Sequence, residues 1–152
     1  MPRQVTARAV VCNSQGQLLF MERRKADRHY FTLSGGHVEP GEDAEQAVVR
    51  EVMEECGVRV EVIKLLYTSI DIYHQDQRIF LCRYIGGDPA LPRFSPEHGI
   101  DQQTGQLHKP GWFTPEDLAG QNVYPLGLLT FLAEDKLLNY QHNPRLIIER
   151  EV

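Results

Sequence analysis

The pattern of apolar and polar positions predicts a series of short strands at the start of the chain. Residues 5–11 are rich in β-branched side chains, residues 13–16 have the composition of a turn, and residues 18–21 are apolar again. This order is typical of a strand–turn–strand unit, and residues 30–33 predict a further short strand. Strand-like patterns return later in the chain over residues 58–73, 78–85 and 145–152.

The clearest helical pattern covers residues 43–56. Asp43 is a suitable N-cap, and Gln46, three residues later, completes a capping box. Gly57 then offers the left-handed residue at which helices commonly end. Further helical patterns cover residues 114–118 and 126–138.

Two segments rich in glycine and proline predict loops, at residues 34–42 and 86–111. A loop as long as the second is unusual inside a compact domain and indicates a functional or mobile segment. With the strands and helices around them, these loops predict one α/β domain over residues 1–152.

Composition and charge narrow the class of protein. The chain of 152 residues has 16 Lys and Arg against 21 Asp and Glu, a net charge of −5, which argues against a nucleic-acid or membrane-surface binder that works by bulk charge. Its apolar runs fall far short of the roughly 20 residues of a membrane span, and its first residues lack the apolar core of a signal peptide. Three separated cysteines predict neither a disulfide framework nor a zinc site. We therefore expect a cytoplasmic protein.

The helix over residues 43–56 places carboxylates beside its apolar side. On a helical wheel, Glu51, Glu54 and Glu55 share the side of the apolar arc that contains Ala47 and Val52. Three carboxylates this close repel one another and raise one another's pKa. Two interpretations remain open: a hard divalent ion such as Mg²⁺ or Mn²⁺, which prefers oxygen ligands, or neutralisation by the cations Arg50, Arg23 or Arg24.

The segment before this helix favours a binding site. Gly35 and Gly36 allow the backbone to approach a ligand closely. Glu42 lies two helical turns before Arg50 and can hold its guanidinium by a charge-assisted hydrogen bond.

Together these residues resemble the Nudix box. Gly36, five residues, Glu42, seven residues and then the run Arg50-Glu51-Val52-Met53-Glu54-Glu55-Cys56-Gly57-Val58 match its pattern at every defined position. Residues 31–42 are similar to the strand and loop that lead into this box, with Ser34 where many members have proline.

The resemblance implies the Nudix fold, an α/β/α sandwich around a mixed β-sheet. It also implies metal-dependent hydrolysis of a phosphoanhydride bond in a nucleoside diphosphate linked to another group, with Mg²⁺ or Mn²⁺ as cofactor. Carried over by position, the metal ligands would be Glu51, Glu54, Glu55 and the carbonyl of Gly35, with Glu55 as the principal ligand. Arg50 and Glu42 would orient the box.

The general base differs between members of the family and stays open here. It is either Glu51 or a residue of the 86–111 loop, where Glu97 is the first choice by residue type. The other candidates in that loop are His98, Asp101 and His108.

The substrate is less well defined than the chemistry. By elimination, an ordinary or oxidised nucleoside triphosphate is the first choice, without a nucleic-acid or membrane partner; a homodimer is left open. Substrate phosphates could be held by basic residues, although a solvated charge run is the commoner outcome: Arg23, Arg24, Lys25, Arg28 and Arg78. The main alternative function is a Nudix-fold sensor that binds a nucleotide without turnover; an isopentenyl-diphosphate-isomerase-like activity is remote.

Overall fold

The computed structural model describes residues 4–70, 76–90 and 105–148. In these ranges the strands are β1 (Val5–Cys12), β2 (Leu18–Lys25), β3 (Arg28–Thr32), β4 (Ser34–His37), β5 (Arg59–Ile70), β6 (Asp76–Gly86), β7 (Leu107–Phe113), β8 (Val123–Tyr124) and β9 (Arg145–Ile148). The helices in the same ranges are α1 (Ala44–Cys56), α2 (Pro115–Leu118) and α3 (Leu128–Leu137). None of these helices has the length and apolar character needed to cross a bilayer.

The strands form one mixed sheet in the order β8-β3-β2-β1-β6-β5-β9, with β4 paired to β1 and β7 paired to β2. The pairs β1–β6, β3–β8 and β5–β9 are parallel, and the remaining pairs are antiparallel. Helix α1 packs on one face of this sheet and α3 on the other. The predicted α/β fold with a mixed sheet is therefore confirmed.

Helix α1 begins and ends where the sequence predicts. The Asp43 carboxylate accepts a hydrogen bond from the Gln46 backbone N–H at 2.8 Å, and the Gln46 side chain accepts one from the Asp43 backbone at 3.0 Å. Gly57 has φ 70° and donates its N–H to the Met53 carbonyl. These caps satisfy backbone groups that a helix end would otherwise leave without partners.

One face of α1 is buried against the centre of the sheet. Ala47, Val48 and Val52 are fully buried and belong to the same core as Ala7 and Ala9 of β1. Because β1 is a central strand, this packing places the carboxyl-bearing side of α1 over the β1–β4 pair. The helix thus positions the site.

On the opposite face of the sheet, a hydrogen-bonded polar cluster lies within the apolar core. Asp135 of α3 is buried and accepts hydrogen bonds from the Tyr67 hydroxyl at 2.6 Å and from Arg145 Nη1 at 2.7 Å. Burial raises the pKa of the Asp135 carboxyl, but the hydrogen bonds from Tyr67, Arg145 and Asn143 outweigh it, so the net pKa is lowered. This cluster ties α3 to β5 and β9.

Two loop predictions are wrong where the structure forms strands. Residues 34–37 form β4, because Ala9 pairs with Ser34 and Arg8 with Gly35 along β1. Residues 107–111 belong to β7, which pairs with β2. His108 therefore lies in a strand, whereas Glu97, His98 and Asp101 lie outside the described residues.

Candidate active site

The carboxylate of Glu51 lies against the backbone of β4 at Gly36. A Cβ atom at Gly36 would lie 2.4 Å from Glu51 Cδ and 2.6 Å from each carboxylate oxygen. The Glu51 side chain is only 18% exposed. The absent side chain at Gly36 is thus the space that the Glu51 carboxylate occupies.

Gly35 brings β4 and β1 unusually close together. It has φ 154°, and a Cβ atom there would lie 2.0 Å from the Ala7 carbonyl oxygen. Arg8 Nη1 donates a hydrogen bond to the Leu33 carbonyl at 3.0 Å and a longer one to the Gly35 carbonyl at 3.4 Å. The carbonyl that the sequence assigned to a metal therefore faces the side chain of Arg8.

Arg50 connects the site's carboxylates. Its Nη2 donates to Glu42 Oε1 at 2.7 Å and its Nε donates to Glu42 Oε2 at 3.1 Å, a two-pronged ion pair. Nη2 also donates to the His37 carbonyl at 3.1 Å, and Nη1 donates to Glu51 and Glu54 at 3.0 Å each. One guanidinium thus joins α1, the end of β4 and the segment before the helix.

These contacts shift the ionisation of the pair. The hydrogen bond from Arg50 holds the pKa of the Glu42 carboxyl below its ordinary value, assisted by the Glu39 backbone N–H. The hydrogen bond to Glu42, with a further one to Glu51, raises the pKa of Arg50 despite its desolvation. Both residues are charged over the whole neutral range, so the ion pair between α1 and the segment before it persists there.

The third glutamate lies on the inner side of α1. Glu55 is half-buried, next to the buried Cys56. Burial raises the pKa of the Cys56 thiol to about 12; a hydrogen bond to Ser34 opposes this rise, and the charge of Glu55 adds to it. Cys56 is therefore a protonated core residue, and Glu55 is close enough for its charge to act on it.

The carboxylate cluster on α1 was expected either to bind a divalent ion or to be neutralised by arginine side chains. Arg50 contacts Glu51 and Glu54, whereas Arg23 and Arg24 lie on β2. In the ranges 4–70, 76–90 and 105–148, no three His, Cys, Asp or Glu side chains converge as they would around a metal ion. The donor types still suit a hard divalent ion, since all are carboxylate or carbonyl oxygens, and the space at Gly36 accommodates the Glu51 carboxylate.

A second polar surface, which the sequence did not bring together, lies across β3, β2 and β7. Arg23 Nη2 donates to His108 Nε2 at 2.7 Å, a contact between residues 85 positions apart. The guanidinium carbons of Arg23 and Arg28 lie 5.7 Å and 4.8 Å from the ring centre of Tyr30. We call the surface formed by Arg23, Lys25, Arg28, Tyr30 and His108 the basic face. Only the run of basic residues was visible in the sequence; the pairing with β7 follows from tertiary structure.

Comparison with known proteins decides the family. A family model described as the NUDIX domain matches residues 2–130. The chain belongs to the Nudix family. This confirms the resemblance seen in the sequence.

Individual relatives show how far the similarity extends. A Caenorhabditis elegans protein named as a nudix hydrolase is 37% identical over 143 residues, which cover 91% of this chain and 36% of the relative. An RNA pyrophosphohydrolase of Cronobacter sakazakii is 38% identical over 60 residues, or 40% of this chain and 33% of the relative. The matched segments thus span about a third of the length of each of these two curated relatives.

A solved structure supports the Nudix fold over nearly the whole chain. A NUDIX hydrolase from Nitrosomonas europaea superimposes with a TM-score of 0.70 at 17% identity, covering 97% of this chain and 78% of that protein. At this identity the similarity establishes the fold alone.

Proposed function

We propose that this protein hydrolyses a phosphoanhydride bond in a nucleoside diphosphate linked to another group. The single observation that carries this proposal is the Glu51 carboxylate seated in the space left by Gly36, beside the Arg50–Glu42 ion pair. Membership of the Nudix family, whose members generally use divalent metal ions, supports it.

The metal would be held by oxygen donors of α1 and β4. We assign Glu51, Glu54, Glu55 and the Gly35 carbonyl as its ligands. Glu54 is the most accessible of the contacts that Arg50 makes on α1, at 51% exposure, and an exposed i,i+4 ion pair contributes only about 0.3–0.5 kcal/mol. Arg50 can therefore release Glu54 at little cost, while its firmer contact with Glu42 stays in place.

The reaction requires a water molecule and a base. A divalent ion held there would neutralise charge on the substrate phosphates and lower the pKa of the attacking water. The water oxygen forms a new bond to phosphorus, the bridging phosphorus–oxygen bond breaks, and the bridging oxygen leaves with the departing phosphate group. The chain supplies the carboxylate that takes the water proton, and the Arg50–Glu42 pair holds α1 against the segment that precedes it.

The base is either Glu51 or Glu97. Arg50 Nη1 donates a hydrogen bond to Glu51 Oε1, so one of the two carboxylate oxygens of Glu51 is already engaged. Glu97 lies outside the described residues. We retain both as candidates, with Glu97 favoured by residue type.

For the substrate, we propose a chemical class and not an individual compound. We place an ordinary or oxidised nucleoside triphosphate first, in a cytoplasmic protein. A nucleotide sensor without turnover is the second candidate, and the complete set of box glutamates argues against it.

A hydrolysis panel tests this function. We expect cleavage of the phosphoanhydride bond of one substrate class in the presence of Mg²⁺ or Mn²⁺, abolished by EDTA and measured as the appearance of its two phosphate-bearing products. The panel contains canonical and oxidised nucleoside triphosphates, ADP-ribose, NADH, dinucleoside polyphosphates, nucleotide sugars and 5′-triphosphorylated RNA. Nucleotide binding without turnover across the panel would overturn the enzyme assignment in favour of the sensor.

A further inference from the structure

A pocket opens on the α3 face of the sheet, on the side opposite to helix α1. Strands β1 and β2 contribute Val10 and Leu18 to its wall, and helix α3 contributes Leu129 and Leu132. These side chains belong to the apolar core of the α3 face or pack against it, whereas α1 packs on the core of the other face. The pocket is therefore separate from the residues of the Nudix box.

The interior of the pocket suits a small apolar group. Its walls include Val10 and Leu132, which are only 2% and 7% exposed. The pocket volume is about 110 Å³, somewhat less than the roughly 150 Å³ of a cavity that admits benzene. By the same measure, there is room for an alkyl chain of about four or five carbon atoms.

The polar groups at this pocket favour an anion. Lys136 is the one charged side chain among the described residues that line it. The carboxylates next to Lys136 along α3 are engaged elsewhere, because Glu134 and Asp135 both pair with Arg145. In the ranges 4–70, 76–90 and 105–148, Lys136 itself forms no ion pair. Its ammonium group is thus available to a ligand.

Tyr140 adds a hydrogen-bond donor to the same lining. Burial raises the pKa of its phenol, with further contributions from Cys12 and Asp135. The hydroxyl therefore stays protonated at neutral pH, and it can donate to an anion as the ammonium of Lys136 can.

We propose that this pocket binds an aliphatic monocarboxylate, with its alkyl chain among Val10, Leu129 and Leu132 and its carboxylate at Lys136 and Tyr140. An apolar cavity with a few polar groups that fix orientation is the usual form of a small-molecule site. A nucleotide does not match it, because several phosphate charges would meet a single cation. The proposal does not depend on the hydrolysis proposed for the Nudix box, so failure of either leaves the other standing.

Cys12 gives a readout of this site that needs no hydrolysis. Its thiol is exposed and lines the pocket, whereas Cys56 and Cys82, the other two cysteines of the chain, are buried. Iodoacetamide should therefore alkylate Cys12 first in the native protein. A ligand in the pocket should slow this reaction, which mass spectrometry of the intact chain follows.

Hexanoate is the main probe, with hexylammonium and acetate as matched controls. The first control keeps the chain and reverses the charge, and the second keeps the charge and lacks the chain. We expect hexanoate to slow the alkylation of Cys12 and to raise Tm, and neither control to do so at equal concentration and ionic strength. Butanoate, two methylene groups shorter, should bind about 15-fold more weakly in an NMR titration, since each methylene contributes about fourfold.

Two pairs of variants separate the charge from the cavity. Lys136→Gln should weaken hexanoate about twofold to fivefold, the range of an exposed ion pair, and Lys136→Arg should retain the affinity. Ala133→Phe places a large side chain at an exposed position of the lining and should abolish the hexanoate-induced NMR shifts. Thr130→Phe is its matched control, because Thr130 is exposed on α3 without lining the pocket; it should bind as wild type.

Four results would overturn the proposal. Absence of saturable hexanoate binding by the wild-type protein would remove the site. Equal binding of hexylammonium would show that the pocket does not select an anion. Equal affinity of wild type and Ala133→Phe would place the ligand elsewhere. Alkylation of Cys12 that slows as protein concentration rises, without any ligand, would assign the pocket to a contact between two copies of the chain.

Discussion

At the scale of single residues, the site depends on side chains that are absent as much as on those present. Gly35 allows β4 to approach β1, and Gly36 leaves the space in which the Glu51 carboxylate lies. The two glycines therefore have different physical tasks. At Gly35 an added Cβ would meet backbone, whereas at Gly36 it would meet the carboxylate of Glu51, which we propose as a metal ligand.

Gly36→Ala should impair catalysis more than folding. Its Cβ would overlap the Glu51 carboxylate and displace it, and an error of about 1 Å in a catalytic group can cost about 100-fold in rate. We expect kcat with Mg²⁺ to fall by about that factor, with a shift of only a few degrees in Tm measured by thermal unfolding.

Gly86→Ala is the matched control for this substitution. A Cβ atom at Gly86 would lie 3.4 Å from Nη2 of Arg59, the flexible end of a side chain that can move aside. Near-native kcat in Gly36→Ala, with Tm unchanged in both variants, would show that activity does not depend on the space that Gly36 leaves for the Glu51 carboxylate.

At the scale of elements, α1 could be predicted from sequence because its signals are local. Asp43 and Gln46 form the predicted capping box, and Gly57 adopts the predicted left-handed conformation. Its caps and its apolar arc lie within a few residues of each other. The Nudix box added the expected roles of the glutamates, which no periodicity could supply.

Strands β4 and β7 were missed because tertiary pairing overrides weak local propensity. Ser34, Gly35 and Gly36 have little tendency to form a strand and do so only alongside β1. Pro110 and Gly111 resemble loop residues, yet among the described strands β7 pairs only with β2, so it is an edge strand, where proline is tolerated. The Arg23–His108 contact depends on that pairing and was invisible for the same reason.

The ion pair between Glu42 and Arg50 should make stability depend on pH in a defined direction. The pKa of Glu42 is lowered in the folded state, so as pH falls the unfolded chain takes up a proton first. The stabilisation is complete above the ordinary glutamate pKa of about 4.3 and is lost as pH falls through the lowered folded value. Glu42→Gln should therefore lower Tm at neutral pH, and its difference from wild type should shrink below about pH 4.

An ion pair on the solvent-exposed surface provides the comparison. Glu61 contacts Arg83 at 2.9 Å with both side chains more than half exposed, at 62% and 61%. Pairs of this kind contribute little, so Glu61→Gln should change Tm only slightly at any pH. Matching profiles for the two variants in thermal unfolding at several pH values would contradict the bracing role of Glu42.

At the scale of the whole molecule, charge is separated on one face of the sheet. The net charge is −5. Arg50 pairs with carboxylates of α1, while Lys25 of β2 and Arg28 of β3 form no ion pair with the residues that the structure describes. The mixed sheet provides the rigid support for both groups of charges, because β1 and β2 are adjacent strands.

The most direct test of the central claim is the rate of hydrolysis as a function of Mg²⁺ concentration for wild type, Glu55→Gln and Glu45→Gln. Glu45 is an exposed carboxylate in the first turn of α1, at a position that the box pattern leaves undefined, so Glu45→Gln makes the same chemical change on the same helix. The account predicts metal-dependent turnover in wild type and Glu45→Gln, and a loss of at least about 100-fold in Glu55→Gln with the fold intact by circular dichroism. Near-native, Mg²⁺-dependent turnover in Glu55→Gln would contradict the assignment of the α1 glutamates as the metal site.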